Sequence, residues 1–162
     1  MMPPSRQVAG MVAVVVDASV AAAICAREAQ LEPVALSALR HYAGQGCHFY
    51  APGVLTSEVL FVLCRQRSDG RLDSNSFVQA TIDLEALLST ILPPPREESA
   101  LVPIATRICG DCDCRRTADS LYIALAEQLG STATTVLLTF DRDMRNQAAA
   151  NAPSVNVDLL VI

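Results

Sequence analysis

VAVVVDASVAAAIC, residues 12–25, changes character at a single acid. Val12 to Val16 is an unbroken apolar run, four of its five residues Val. β-branched residues without polar alternation predict a strand buried on both faces, as in a parallel sheet. Ala18 to Ala26 is rich in Ala and predicts a helix. The wider stretch 8–26 resembles a signal peptide or a membrane span. Asp17 opposes that reading, because a carboxylate at a bilayer centre costs about 2.5–3.5 kcal/mol on insertion scales. Arg6 alone precedes the run, a thin basic region for a signal peptide. A strand followed by a helix accounts for the stretch better, so we expect a cytoplasmic chain with no membrane segment.

The same alternation continues outward. Residues 32–43 predict a helix with Pro33 in its first turn, stopped by Gly44 and Gly46. His48 to Ala51 predicts a strand, and Pro52-Gly53 a turn. In TSEVLFVLCRQR, Val59, Val62 and Leu63 share one helical face with Leu55, and Thr56 or Ser57 is the expected cap. Ser74 to Leu88 predicts a helix and Thr90 to Leu92 a brief strand, ended by Pro93, Pro94 and Pro95. Glu97 to Ile108 predicts a helix interrupted near Pro103. Thr117 to Leu129 has the clearest helical period, with Thr117 as expected N-cap and Gly130 as stop. Val136 to Phe140 predicts a second buried strand, Asp141 to Ala150 a helix and Val155 to Val161 a last strand. Strands alternating with helices imply an α/β fold, a three-layer α/β/α sandwich around a parallel sheet of about five strands. We expect a flexible N-terminal extension at 1–10 and a single domain at 11–162, a length that suits one core.

Composition removes several chemistries. All twelve basic residues are Arg. Without Lys there is no P-loop Lys, no Schiff-base Lys and no Lys beside a phosphoaspartate. Response-regulator receivers and haloacid-dehalogenase-type phosphatases are thereby disfavoured. Cys25, Cys47 and Cys64 lie in apolar sequence and are expected in the core. Cys109, Cys112 and Cys114 form C-x2-C-x-C, short of the four ligands of a structural zinc site. The net charge of −5 argues at first sight against a nucleic-acid partner.

Two predicted strands end in acids, at Asp17 and at Asp141, with Asp143 two residues on. Glu58 falls in the helix after the second strand, and Asp119 in the first turn of the helix from Thr117. In a parallel sheet the reactive site lies outside the carboxyl ends of the strands. Clustered carboxylates repel one another unless a cation neutralises them, and oxygen-only ligands suit Mg²⁺ or Mn²⁺. Each acid also has a plainer reading. Asp119 could only favour its helix N-terminus, typically worth about 0.3–1 kcal/mol. Asp141 and Asp143 could cap a helix or turn, and Glu58 could be an exposed helical residue.

V-V-D-A-S-V at 15–20, P-G-V-L-T-S-E at 52–58, T-A-D-S-L-Y-I-A-L-A at 117–126 and L-L-T-F-D-R-D at 137–143 together resemble the PIN domain. The likeness is nearest to the single-domain VapC-like toxins of type II toxin–antitoxin systems. That resemblance implies a Mg²⁺- or Mn²⁺-dependent endoribonuclease. It assigns Asp17, Glu58, Asp119 and Asp141 to catalysis, and Asp17, Asp119, Asp141 and Asp143 to the metal. Ser19 and Thr139 match supporting hydroxyl positions. The expected partners are an RNA substrate, a cognate antitoxin and a second copy of the chain as homodimer. A catalytically inactive PIN-like binding module is the alternative.

Arg115, Arg116, Arg142 and Arg145 flank the acid motifs and are candidate phosphate contacts. Removing the five site acids leaves twelve acids against twelve arginines. The negative balance therefore matches a site awaiting cations and does not oppose an RNA substrate.

Overall fold

The computed structural model describes residues 12–110 and 116–162. The proposed extension at 1–10 lies outside them, as do Cys112, Cys114 and Arg115.

The Val-rich run forms β1 (Ala13–Val16), buried at every position. Ala13 and Val15 enter one apolar cluster, Val14 and Val16 the other. Fully burying one Val is worth about 1.5–3 kcal/mol, so this strand is a principal source of stability. The chain continues through α1 (Ala18–Cys25) and α2 (Glu32–Gly44) to β2 (His48–Tyr50). Two long helices follow, α3 (Val54–Ser68) and α4 (Ser74–Leu88), then the short β3 (Ile91–Leu92). A 3-10 turn over Glu98–Leu101 leads into α5 (Val102–Cys109), with Pro103 in its first turn. The expected interruption near Pro103 is this change of helix type. After it come α6 (Thr117–Gly130), β4 (Thr135–Thr139), α7 (Arg142–Asn151) and β5 (Asn156–Leu159).

All strand pairs are parallel, in the order β3-β2-β1-β4-β5. The sheet is thus the expected five-stranded centre of an α/β/α sandwich. One face packs on α2 and part of α1, and the other on helices α3 to α7. The order reverses between β1 and β4, which run in register from Ala13 opposite Thr135 to Val16 opposite Leu138. Crevices at such a switch point are where open parallel sheets bind ligands.

Four local expectations are corrected. Cys64 is exposed, although Cys25 and Cys47 are buried. Leu63, one position earlier in α3, turns inward, so a neighbouring apolar sequence did not fix the face of Cys64. Neither Thr56 nor Ser57 caps α3: the helix starts at Val54, the Gly53 N–H donates to the Glu98 carboxylate, and the Ser57 hydroxyl donates back to the Val54 carbonyl. Arg116, and not Thr117, holds the N-cap position of α6, without a side-chain cap bond. Gly130 is still helical, and Ser131 caps the end. Among the described residues no helix is long and apolar enough to cross a membrane.

Candidate functional site

Asp17 follows the last residue of β1, and its backbone N–H donates to the Leu138 carbonyl (3.1 Å), extending the ladder to β4. It has extended backbone geometry and caps α1, accepting from the Ser19 N–H (3.3 Å). Its Oδ2 also accepts from the Ser19 hydroxyl (2.5 Å) and the Thr139 hydroxyl (2.7 Å). Both hydroxyls are themselves held by backbone. Ser19 Oγ accepts from the Phe140 N–H (3.1 Å), and Thr139 Oγ1 from the Asp141 N–H (2.9 Å). With those acceptor roles filled, each hydroxyl proton is aimed at Asp17. Burial pushes the Asp17 carboxyl above its ordinary range, and the two hydroxyls pull it back.

Asp141 stands two residues beyond the end of β4 and, like Asp17, at the N-cap of the helix that follows. Its Oδ1 caps α7, accepting from the N–H groups of Asp143 (2.7 Å) and Met144 (3.3 Å). Its Oδ2 lies 3.6 Å from the Arg116 guanidinium. The plain capping reading of Asp141 is therefore correct, Asp17 is found to cap its helix as well, and capping does not exhaust either residue. A capping carboxylate has a second oxygen, and in Asp141 that oxygen points to a cation.

Asp119, in the first turn of α6, receives the Arg116 Nη1–H at 3.0 Å. Burial, with Asp141 and Asp17 adding repulsion, pushes its carboxyl up to about 6, against the pull of Arg116. Glu58 is half-buried on α3 and accepts from the Tyr122 hydroxyl at 2.6 Å. Burial raises its pKa too, and Asp17 and Asp119 reinforce the shift. Tyr122 is fully buried, and its phenol is pushed far up by burial and by Glu58. The helical period marked Tyr122 as core, with no signal for this bond across 64 positions.

Asp17, Glu58, Asp119 and Asp141 line one cleft of about 380 Å³, with Ser19 and Phe61. A larger hollow, about 730 Å³, lies by Gly130 and Thr135, where β4 begins. It holds the Arg107–Glu127 ion pair and none of the five acids. Asp143 does not line the carboxylate cleft: it is exposed and accepts from Arg116 Nη2–H at 2.5 Å. Arg142 and Arg145 are exposed on α7, where the Arg145 guanidinium donates to the Asn146 side chain (3.3 Å). Arg116 is not a free phosphate contact as expected, because its guanidinium lies among Asp119, Asp141 and Asp143.

Among the described residues no three His, Cys, Asp or Glu side chains already stand as a metal-ligand cluster. Their oxygens are partly engaged by Ser19, Thr139, Tyr122 and Arg116. The donor set nevertheless fits a hard divalent cation. Four carboxylates face one cleft, and a cation, Arg116, already stands beside two of them. Raised pKa values at Asp17, Glu58 and Asp119 share a leading cause, burial of the carboxylate, and at Glu58 and Asp119 neighbouring carboxylates add to it.

No curated protein matches the chain in sequence. Its fold is similar to the crystal structure of PAE2754 from Pyrobaculum aerophilum, with a TM-score of 0.52 and 17% identity over 97% of this chain and 92% of that one. The family model of the PIN domain matches residues 14–150, a span that contains all five acids. The chain belongs to the PIN domain family.

Proposed function

We propose that this protein is a Mg²⁺- or Mn²⁺-dependent endoribonuclease of the VapC-like toxin type, acting in the cytoplasm. PIN domains are generally metal-dependent nucleases. The observation that carries the reading is the convergence of Asp17, Glu58, Asp119 and Asp141 on one cleft at the carboxyl edge of the sheet. Asp17, Asp119 and Asp141 would hold the metal, with Asp143 at the rim. When bound, the metal supplies Lewis-acid charge and a lowered water pKa for phosphodiester hydrolysis.

The protein's own groups do the rest. Ser19 and Thr139 fix the Asp17 carboxylate in one orientation, and such outer partners govern ligand geometry. Glu58, anchored by Tyr122, orients the attacking water, and burial raises its pKa in the direction that favours accepting a proton. Arg142 and Arg145, exposed beside the Asp141 motif, contact substrate phosphates. As partners we propose a single-stranded or structured RNA, a cognate antitoxin and a homodimer. Phe61, Val78 and Ile82, exposed on α3 and α4, supply apolar surface for a protein partner.

The test is cleavage of RNA with Mg²⁺ or Mn²⁺, with and without EDTA, by wild type, Asp17→Asn and Asp119→Asn. We expect metal-dependent cleavage that both substitutions abolish. Unimpaired variants overturn the assignment. Absence of both cleavage and metal binding, read by calorimetry, favours the inactive binding module.

A further inference from the structure

Arg116 occupies an unusual position for a basic residue in a nucleic-acid enzyme. Its Nη1 is shared between Asp119 (3.0 Å) and Asp141 (3.6 Å), and its Nη2 is bonded to Asp143 (2.5 Å). Three carboxylates from α6, the β4–α7 junction and α7 thus meet on one guanidinium. The side chain is 30% exposed, so the charges are only partly screened by water. One positive charge against three negative ones leaves the cluster under-neutralised, and Asp17 and Glu58 add to the deficit in the same cleft.

The backbone and the side chain of Arg116 are held differently. Its carbonyl accepts from the Ser120 hydroxyl (3.0 Å), and Ser120 in turn accepts from the Gln147 amide (2.9 Å). Ser120 and Gln147 are both buried, so this chain fixes the start of α6 against α7. Among the described residues every partner of the guanidinium, by contrast, is a carboxylate that a divalent ion could also engage. The long side chain can therefore leave the cluster while the backbone stays in place.

We propose that Arg116 is the resident counter-ion of the carboxylate cluster, displaced when a divalent cation binds, and that the displaced guanidinium then grips a phosphate of the substrate. This rests on the metal-dependent reading above. In the absence of metal, Arg116 holds Asp119, Asp141 and Asp143 together and offsets their repulsion. A divalent ion with higher charge density takes over that role. The freed guanidinium remains tethered at the cleft, where its fork of donors matches a phosphodiester. Arg116 is thus a positioning residue before metal binding and a substrate contact after it.

The experiment uses the full chain, Arg116→Gln and Arg116→Lys. Mn²⁺ alone is titrated calorimetrically without RNA, and thermal stability is read in EDTA. Arg116→Gln should bind Mn²⁺ about tenfold more tightly or better while its Tm in EDTA falls; Arg116→Lys should lie between it and wild type. A merely structural arginine would weaken metal binding and stability together, and that result overturns the proposal. With saturating Mn²⁺, Arg116→Gln should raise KM for a single-stranded RNA and lower the salt slope of binding by about one phosphate contact. An unchanged salt slope overturns the second half. Wild type and variant that both fail to bind Mn²⁺ overturn the metal reading itself, whereas equal, measurable affinities overturn only the role of Arg116.

Discussion

Asp17, between β1 and α1, and Asp141, between β4 and α7, occupy the same place in two strand–helix junctions, yet their surroundings differ. Both residues cap the helix that follows. Asp17 is buried, and one of its oxygens is held by two neutral hydroxyls. Asp141 keeps 39% of its side-chain surface exposed and turns its second oxygen toward the Arg116 cation. The first carboxylate is oriented at the cost of burial; the second is left adaptable. Thr139 couples them, because its hydroxyl accepts from the Asp141 N–H and donates to Asp17. A cleft with one fixed and one adjustable acid can accept a cation without rebuilding the sheet edge.

The strongest challenge to this contrast is Asp17→Asn. The rigid acid should matter most, so kcat/KM for RNA cleavage should fall by more than about a hundredfold, beyond the usual range for outer positioning groups. Retention of a tenth of the activity breaks the contrast. Thr139→Val cuts the link between the junctions while keeping the side chain's shape. We expect a loss of about 10–100-fold in Mn²⁺ affinity by calorimetry, restored by Thr139→Ser. A fully competent Val variant would show that the two acids act independently.

The pH dependence sharpens the electrostatic side. The Asp119 carboxyl has a folded pKa of about 6, against about 3.8 when unfolded. Between those values the folded state binds more protons, so stability falls as pH rises from about 4 to 6 and then levels off. Asp17 and Glu58, also raised, contribute with the same sign. Tm in EDTA should therefore drop between about pH 4 and 6 from this source, and Asp119→Asn should shrink the drop. An undiminished drop removes Asp119 as a cause. The smallest effect separates capping from metal binding at Asp141. Asp141→Asn keeps a good N-cap, so Tm should change little, whereas Asp141→Ala should cost about 1 kcal/mol. Mn²⁺ affinity should fall in both; a fall in Ala alone would reduce Asp141 to a cap.

The sequence carried the sheet because its two central strands are buried on both faces. Val14, Val15, Val16, Leu137 and Leu138 have nowhere polar to point, and their runs are unbroken. Asp17 and Asp141 were legible for the same reason, as acids ending such runs. Side-chain partners across long separations were not. Tyr122 satisfies the helical period whether or not its hydroxyl meets Glu58, and apolar patterning is blind to that oxygen. Arg116 read as a phosphate contact because charge pattern cannot show that three acids would meet it first. Thr117 looked like a cap by residue type, but the helix begins one position earlier in effect, with Arg116 at its cap. Cys64 failed as core because α3 buries only one side, and residue type does not say which.

The Tyr122–Glu58 bond also gives the protein an optical property. The chain has no Trp and three Tyr, so its near-ultraviolet emission is that of tyrosine. A phenol that donates to a carboxylate emits weakly, and Tyr122 does so inside the cleft wall. Tyr42 likewise donates to a carboxylate, Asp158, away from the cleft, so its weak emission stays constant whatever happens there. Any change that turns the Glu58 carboxylate from Tyr122 toward the cleft should brighten the emission, so the unlabelled chain is its own fluorescent reporter.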